Sequence, residues 1–337
     1  MSDVVKLAHG FGGMLTQQLL DEIITPALTG KPGHAPTLDA AVLHRLQAPV
    51  VVSTDSFTIT PRFFPGGDIG KLAMVGTIND VAMMGAHPKF FALGLIIEEG
   101  FPLAELKQIL HSIGETARSV GAHIVTGDTK VVEKGACDGL FLHTTGFGTQ
   151  CYGPLGPDQI REGDLILISG TLGDHGAAIL NVREGLGFDQ TLESDCAPLW
   201  SVVQAAAEAA GKNLHALRDP TRGGLAATLN EFAQDTGLQF VIEEERLPIK
   251  PQVAAFLDIL GLDVLPIANE GKCLLFVAPE AADDVLRAIR KQTHGQDAAM
   301  IGRVEAAVKR GRVVLETAIG TRRVVAMPIE AGLPRIC

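Results

Sequence analysis

Short apolar runs alternate with stretches of helical periodicity along this chain. Pro49–Thr54 is a β-branched run that predicts a strand ending at Asp55. Ile69–Gly85 predicts a helix with apolar residues on more than one face, as in a helix buried on several sides. Phe90–Ile97 predicts a buried strand, and Leu103–Val120 has the periodicity of a helix. The first third of the chain therefore indicates mixed helix and sheet.

The alternation continues through the rest of the chain. Strands are predicted at Ala122–Thr126, Leu140–Gly148, Asp164–Ser169 and Leu274–Ala278, and helices after the segment GTLGDHG and over Leu225–Thr236. Tyr152–Pro157 is rich in proline and glycine, which predicts a domain boundary. We expect an α/β (α+β) architecture with domains over residues 1–150 and 151–327. The segment 328–337 is predicted to be a mobile tail.

Composition narrows the class of protein. A chain of 337 residues predicts about two domains. A net charge of -11 and an aromatic content of 5% argue against nucleic-acid partners. Five cysteines without a CxxC pair indicate free thiols in a reducing compartment. Neither a signal peptide nor an apolar run of about 18 residues is found, so we expect a cytoplasmic protein without membrane contact.

Three aspartates are candidates for a metal site. Asp55 and Asp128 each follow a predicted strand, and Asp80 lies beside Asn79 in an otherwise apolar helix. An unpaired buried carboxylate is costly, so Asp80 should have a partner such as a cation. Mg²⁺ prefers carboxylate oxygens and shares its ligand shell with nucleotide phosphates. The alternative is equally open for each residue: Asp80 would cap a loop, and Asp55 and Asp128 would belong to turns.

Two further charged residues lie in predicted turns. Lys130 in GDTK would place a cation near a phosphate site, and Glu270 lies in NEGK. Spacing alone does not bring the two side chains together, and each could be a solvated surface residue. The glycine clusters HGFGG and GGDIGKL lack the Walker and dinucleotide patterns, so turns explain them better than a phosphate site does.

Cys337 is the last residue of the chain. A thiol on a mobile tail can reach a site that a core cysteine cannot reach. Its own carboxylate should raise the thiol pKa, and Arg335 should partly offset that effect. Prenylation requires the cysteine four residues from the end, which does not apply here. Composition alone favours an incidental terminal cysteine.

Several long motifs occur together and in order. They are GGDIGKLAMVGTINDVAMMGAHP, TGDTKVVEKG, GDHGAA, RDPTRGGLAATLNE, NEGK and the terminal PRIC. In this order the chain closely resembles the HypE family of hydrogenase maturation proteins, from HGFGG to Cys337. That family belongs to a superfamily with aminoimidazole ribonucleotide synthetase, selenophosphate synthetase and thiamine-monophosphate kinase. The resemblance implies two α/β domains, with an ATP site built largely by the amino-terminal domains of a homodimer.

The resemblance also implies a reaction. The carbamoyltransferase HypF would load a carbamoyl group onto Cys337, and ATP would then drive dehydration of the thiocarboxamide to a thiocyanate. The cyanide would pass through a HypC–HypD complex to the iron of a [NiFe] hydrogenase. Phosphorylation of the amide oxygen makes it a better leaving group, and the protein must supply a base and exclude water.

Site residues follow from the same resemblance. Asp55, Asp80 and Asp128 are expected to hold Mg²⁺–ATP, with Asn79 supporting the phosphates. Glu270 is expected to accept a proton from the carbamoyl group, and Lys130 to orient it or stabilise its charge. The remaining residues expected at the nucleotide are Gly10, Gly12, Gly13, Gly67 and Asp68. Phe11 stands where many family members have a small residue, which leaves the glycine-loop contacts open.

Two other functions stay open at this point. One is a related enzyme of the superfamily that acts on a free small molecule, which deletion of Cys337 would distinguish. The other is a non-catalytic adaptor whose tail binds partners. ATP consumption that depends on a carbamoylated Cys337 would exclude the adaptor.

Overall fold

Two β-sheets form the framework of the molecule. The computed structural model describes residues 13–19, 21–22, 41–43, 49–188, 191–307, 310–329 and 335–337. In this part of the chain the first sheet has five strands in the order β1-β2-β7-β5-β6. Its strands are β1 (Ala41–Leu43), β2 (Val50–Phe57), β5 (Ala86–Glu98), β6 (His123–Val132) and β7 (Leu140–Gln150). A separate short hairpin is formed by β3 (Phe63–Phe64) and β4 (Gly67–Asp68).

A buried helix lies against the inner face of the first sheet. The helices of this half are α1 (Met14–Leu19), α2 (Ile69–Met83) and α3 (Leu103–Ser119). α2 packs between the sheet and α3, which explains why its sequence is apolar on nearly every side. Its first turn is capped by Asp68, whose Oδ1 accepts hydrogen bonds from the backbone N–H groups of Gly70 and Lys71. Asp80, near the end of α2, is thereby placed against β2.

The second sheet has seven strands in the order β14-β13-β10-β12-β8-β11-β9. They are β8 (Leu165–Ile168), β9 (Leu214–Arg218), β10 (Gln239–Glu243), β11 (Leu274–Val277), β12 (Ala299–Glu305), β13 (Arg312–Glu316) and β14 (Arg322–Val325). Its helices are α4 (Asp174–Glu184), α5 (Trp200–Ala210), α6 (Gly224–Thr236), α7 (Pro251–Leu260) and α8 (Pro279–Ile289). The central strands β8 and β11 are apolar throughout because one core on each side of the sheet covers them.

The outer face of the first sheet is covered by no described element. Phe90, Ile96 and Phe147 point to this side and are 47%, 42% and 37% exposed. Phe90 and Phe147 are cross-strand neighbours on β5 and β7. The face therefore exposes large apolar side chains to water, in particular the neighbouring rings of Phe90 and Phe147.

The carboxyl-terminal residues lie against the first domain. The backbone N–H of Thr58 donates to a terminal carboxylate oxygen of Cys337, and that of Thr60 donates to the carbonyl oxygen of Arg335. Residues 335–337 therefore run antiparallel to residues 58–60, just beyond the end of β2. Ile336 is buried in the core that the first domain shares with α4 and α7. The mobility predicted for residues 328–337 stays a prediction, as do the domain limits.

The predicted elements recur with shifted ends. β2 extends through Asp55 to Phe57, so Asp55 lies in the strand and not after it. The predicted turn GDTK was wrong, because β6 continues through it to Val132 in parallel pairing with β5. The helices α1, α5, α7 and α8 were not predicted from the pattern. The strands that were not predicted are β1, β3, β4, β9, β10, β12, β13 and β14. No helix in the described ranges is long and apolar enough to cross a membrane.

Asp68→Ala should lower the free energy of unfolding by about 1–2 kcal/mol, because α2 loses its amino-terminal cap. Urea denaturation measures the difference. Ser112→Ala is the matched control, since it removes only the hydroxyl that donates to the other carboxylate oxygen of Asp68. An unchanged urea midpoint for Asp68→Ala would show that the cap does not stabilise the helix.

Candidate active site

A small polar cavity lies where the two sheets approach each other. Its volume is about 210 Å³. The charged or reactive side chains that line it are Asp55, Asp80, Asp219, Glu270, Arg218, Arg222 and Cys337. Four carboxylates thus share a confined space with two guanidinium groups and one thiol. Such a grouping of titratable side chains in a cleft is typical of an active site.

The side chains reach the cavity from several elements of both domains. Asp55 comes from β2 and Asp80 from α2, and Asp219 and Arg222 lie in the loop between β9 and α6. This loop is tight, because Gly224 has φ +56 and an added Cβ would lie 2.5 Å from the carbonyl oxygen of Ile267. The glycines of RDPTRGG therefore allow the loop to turn sharply into α6.

The loop that carries Glu270 is fixed to its neighbours through backbone contacts. Asn269 Nδ2 donates to the carbonyl oxygen of Pro220 at 3.0 Å, which joins NEGK to RDPTRGG. The backbone N–H groups of Glu270 and Gly271 donate to the two carboxylate oxygens of Asp195 at 3.1 Å each. An added Cβ on Gly271 would lie 1.8 Å from the carbonyl oxygen of Asp195, so this contact requires glycine. Glu270 is therefore held on a rigid support.

Negative charge is not balanced in the cavity. Burial raises the pKa of Asp80 well above its ordinary value, and the nearby carboxylates of Asp219 and Asp55 raise it further. Ser53 Oγ donates to Asp80 Oδ2 at 2.6 Å and partly opposes this effect. Burial likewise raises the pKa of Asp55, against the lowering effect of Arg222. The cavity therefore favours protonated carboxyls or a bound cation.

Glu270 has the most exceptional environment of these carboxyls. Burial raises its pKa well above the ordinary value, and Asp219 and Asp195 add to the shift. Within the described residues its Oε1 is buried and has no hydrogen-bond partner. A buried oxygen of this kind is costly unless a ligand supplies the partner. Glu270 is thus suited to accept a proton or hydrogen bond from a group that enters the cavity.

Cys337 closes one wall of the cavity. Burial raises the pKa of its thiol to about 12, against the lowering effect of Arg222. The carboxyls of Glu270, Asp55 and Asp80 raise this pKa as well. The docked thiol is therefore a poor nucleophile, because the thiolate is the reactive form.

The structure brings four of the sequence-predicted residues together: Asp55, Asp80, Glu270 and Cys337. Asp128 and Lys130 are not among them. They lie on β6, which β7 and β5 separate from β2, and they form an exposed ion pair of 2.8 Å with each other. Within one chain, Asp128 therefore does not lie near Asp55 and Lys130 does not face the tail, and the metal and tail roles expected of them stay predictions.

The other predicted residues have structural contacts. Asn79 is buried, with Oδ1 accepting from the N–H of Leu199 at 2.8 Å and Nδ2 donating to the carbonyl oxygen of Ala197 at 3.2 Å. Asp68 caps α2, and Gly67 packs against the ring of Phe64. Gly13 lies against the backbone of Pro328. Gly10 and Gly12 lie outside the described residues. A phosphate-binding role for these six positions stays a prediction without support from these contacts.

Three cavity residues were missed in the sequence: Arg218, Asp219 and Arg222. All belong to RDPTRGG, a segment that contributed to the family resemblance but was assigned no site residue. A usable signal was present, because two arginines and an aspartate in a glycine-rich loop before a helix favour an anion or metal site. Arg218 also pairs with Glu231 at 3.4 Å, whereas Arg222 is the cation most closely coupled to Cys337.

The cavity fits a magnesium–phosphate group in its chemistry. No three histidine, cysteine, aspartate or glutamate side chains in the described ranges are arranged as a complete metal site. Mg²⁺ does not need such a cage, because it retains waters and binds through one or two carboxylates plus phosphate oxygens. The raised pKa values of Asp55 and Asp80 are what uncompensated metal ligands would show. Asp55, Asp80 and Asp219 are therefore the available ligands.

Two family models match the chain. The model for the N-terminal domain of AIR synthase related proteins matches residues 38–150, and the model for their C-terminal domain matches residues 161–314. The carbamoyl dehydratase HypE of Bradyrhizobium diazoefficiens is 47% identical over 334 residues, which are 99% of this chain and 96% of that protein. The HypE of Escherichia coli is 46% identical over 339 residues and 99% of each chain.

Solved structures agree with these matches. A HypE–HypF complex contains a chain with a TM-score of 0.86 and 42% identity, covering 92% of this chain and 99% of that one. A structure of HypE in complex with ATP has a TM-score of 0.83 and 43% identity, and the match covers 99% of this chain and 100% of that one. Thiamine monophosphate kinase of Aquifex aeolicus shares the fold alone. Its TM-score is 0.67 at 19% identity, and the match covers 92% of this chain and 99% of that one. The predicted two-domain fold of this superfamily is confirmed.

Glu270→Gln should stabilise the unliganded protein more as the pH rises. The folded-state pKa of Glu270 is raised, so its contribution is present below the unfolded-state pKa and is lost as pH rises through the folded-state value. Urea unfolding should show the variant's advantage growing by about 1–3 kcal/mol between about pH 5 and about pH 8.

Asp128→Asn is the matched control for this experiment. Lys130 lowers the pKa of Asp128, and the side chain is exposed, so no growing advantage is expected. If the gain in the free energy of unfolding of Glu270→Gln stays constant or shrinks as the pH rises, the raised pKa of Glu270 and the excess of negative charge in the cavity are contradicted.

Proposed function

The chain belongs to the HypE family of carbamoyl dehydratases, and we propose that it uses ATP to dehydrate a carbamoyl group carried on its own Cys337. The product would be a thiocyanate, which supplies a cyanide ligand for the iron of a [NiFe] hydrogenase. The observation that carries the proposal is the position of Cys337. The last residue of the chain lies in the wall of a cavity lined by four carboxylates, and a carbamoyl group on its sulfur would extend this thiol toward them.

The overall change removes one water from the carbamoyl group. The carbon–oxygen bond breaks, both protons leave the nitrogen, and a carbon–nitrogen triple bond forms. ATP supplies a terminal phosphoryl group that makes the amide oxygen a phosphate leaving group, so the products are ADP, phosphate and the S-cyanylated cysteine. The chain's residues must orient the carbamoyl group, take up its protons and exclude water.

Glu270 is suited to be the proton acceptor. Its Oε1 has no partner among the described residues, and its carboxyl lies in the same cavity as Cys337. Burial and the neighbouring carboxylates raise the pKa of Glu270, which makes its carboxylate a stronger base than that of an exposed glutamate. Arg222 lies beside Cys337 and would stabilise negative charge on the oxygen as the carbon–oxygen bond weakens. Arg222 thereby takes the part expected of Lys130 within one chain.

Asp55, Asp80 and Asp219 are the residues that would hold Mg²⁺ with the phosphates of ATP. A divalent cation would balance the charge that now raises the pKa of Asp55 and Asp80. Asp219 replaces Asp128 in this set, because Asp128 lies on the exposed strand β6. Binding of ATP is supported by the ATP complex of a relative that is 43% identical over 99% of this chain.

A second copy of the chain is the partner that fits the outer face of the first sheet. Phe90, Ile96 and Phe147 are exposed on that face, and obligate dimers bury apolar surfaces of this kind. Asp128 and Lys130 lie on the same sheet, so any contribution they make to an active site would be made through the dimer.

HypF is the proposed donor of the carbamoyl group, since a relative forms a HypE–HypF complex. A docked thiol with a pKa of about 12 cannot attack efficiently, so loading requires the tail to leave the cavity. Transfer of the cyanide to a HypC–HypD complex would require the tail to leave the cavity a second time. The cytoplasmic location stays a prediction.

The proposal is tested by mass spectrometry of the carboxy-terminal peptide after incubation with HypF and a carbamoyl donor. We expect a carbamoyl adduct on Cys337 that loses one water only when Mg²⁺ and ATP are added. Glu270→Gln should form the adduct and lose the water at least about 100-fold more slowly. Lys212→Gln is the matched control for a charged residue outside the cavity, because Lys212 is exposed in the second domain.

The outcomes separate the alternatives. An adduct that never dehydrates in the wild-type protein would make it a carrier, as the adaptor hypothesis requires. Dehydration at the normal rate in Glu270→Gln would exclude that residue as the base. A Cys337→Ser variant that still consumes ATP on a free small molecule would favour a related enzyme of the superfamily.

The dimer is tested by sedimentation velocity. Phe90→Asp places a charge in the proposed interface and should convert the dimer to a monomer at micromolar concentration. Ile319→Asp is the matched control, because Ile319 is 86% exposed in the second domain. A wild-type protein that sediments as a monomer would contradict the proposed interface.

A further inference from the structure

A buried histidine contacts the tail one residue before the cysteine. His175 lies in the first turn of α4 and is fully buried. Its Nε2 is 2.9 Å from the carbonyl oxygen of Ile336, and its Nδ1 is 2.7 Å from Ser194 Oγ. Neither residue lines the cavity, so the pair acts on the tail and not on the reacting group.

The hydrogen bonds determine which nitrogen carries the proton. A carbonyl oxygen can only accept, so Nε2–H of His175 donates to Ile336. Burial lowers the pKa of His175, which favours the neutral ring with an unprotonated Nδ1. The Ser194 hydroxyl then donates to Nδ1, while its oxygen accepts from the backbone N–H of Cys196 at 3.1 Å. Ser194 thus fixes the tautomer that the tail requires.

The ring is also fixed in position. The edge of His175 meets the ring of Phe64 in a T-shaped contact with centroids 5.5 Å apart. The backbone N–H of Ser194 donates to the carbonyl oxygen of Pro65 at 2.9 Å. Histidine and serine are therefore held by the same short segment of the first domain, and the donor to Ile336 is oriented before the tail arrives.

A second donor holds the preceding tail carbonyl. Arg183, two turns further along α4, donates through Nη2 to the carbonyl oxygen of Arg335 and through Nε to that of Thr60 at 2.5 Å. A terminal carboxylate oxygen of Cys337 accepts from Thr58 N–H at 3.1 Å. A backbone oxygen of each of the three last residues is thus bound, which fixes the register of the tail independently of its side chains.

We propose that His175, oriented by Ser194, is a positioning residue that holds the Ile336 carbonyl and so sets how far the Cys337 sulfur extends into the cavity. The inference rests on the proposed function, because it assigns the docked tail to the dehydration step. His175 does not touch the carbamoyl group. It shifts the equilibrium between docked and free tail and fixes the reach of the docked form.

The first test needs neither ATP nor a carbamoyl donor. Alkylation of Cys337 by a maleimide, measured by peptide mass spectrometry, reports how often the tail leaves the cavity. His175→Phe keeps the ring contact with Phe64 but removes the donor, so Cys337 should react at least about tenfold faster. His175→Gln can still donate to Ile336 and should react nearly as slowly as the wild type.

Matched controls make this result specific. The exposed thiol of Cys151 is the internal reference for reagent activity in every sample. His111→Phe changes an exposed histidine of α3 and should leave the Cys337 rate unchanged. Ser194→Ala should accelerate alkylation less than His175→Phe. The serine variant no longer fixes the tautomer of His175, but it leaves the imidazole ring in place. A folded His175→Phe protein with wild-type alkylation of Cys337 would overturn the proposal.

A second test covers the case in which His175→Phe does not fold. One glycine inserted between Ile336 and Cys337 leaves the histidine contact intact and displaces the sulfur. In single-turnover dehydration of preloaded protein, the insertion should lower the rate at least about 100-fold, while Ile336→Val should not. Normal dehydration by the inserted variant would overturn the proposed register.

The two hypotheses fail in different ways. If His175→Phe accelerates alkylation but the wild-type adduct never dehydrates, the positioning role stands as a docking contact and the proposed reaction is wrong. If the wild type dehydrates and neither alkylation nor rate responds to His175→Phe, the reaction stands and the positioning role is wrong.

Discussion

Excess negative charge in one small cavity is the constraint on which the rest of the structure depends. Four carboxylates face two guanidinium groups there, and Arg218 is shared with Glu231 outside it. Charges of one sign are tolerated at such a depth only when protons or cations neutralise them. The turn at Gly224 and the bonds from the backbone N–H groups of Glu270 and Gly271 to Asp195 fix the loops that carry Asp219 and Glu270. The cavity therefore favours protonated carboxyls or a bound cation.

The same charge separates the two tasks of the terminal cysteine. In the docked position, burial and the surrounding carboxyls keep the Cys337 thiol protonated, which disfavours nucleophilic attack. A carbamoylated sulfur carries no charge, so the cavity accepts it without that penalty. In the proposed reaction, the free tail thus acquires the carbamoyl group, and dehydration takes place on the docked tail. The contacts of His175 and Arg183 with the tail backbone hold the docked form in register.

The sequence predicts some parts of this site better than others. Asp80 was identifiable because a carboxylate in an apolar helix needs a partner, and Cys337 because the PRIC ending resembles the family. Lys130 and Asp128 were expected in a turn because GDTK is typical of one, whereas pairing with β5 extends the strand through it. The contact of His175 with Ile336 spans 161 positions, which no local pattern encodes. Arg222 was missed because RDPTRGG also starts a helix.

A crystal structure of the carbamoylated protein with Mg²⁺ and a non-hydrolysable ATP analogue would show directly whether the docked tail brings the carbamoyl group to the carboxylates of the cavity. The account predicts the carbamoyl nitrogen within hydrogen-bond distance of Glu270 Oε1 and the metal on Asp55, Asp80 or Asp219. It also predicts that the Ile336 carbonyl still accepts from His175. A carbamoyl group in solvent, with the nucleotide bound away from these aspartates, would contradict the account.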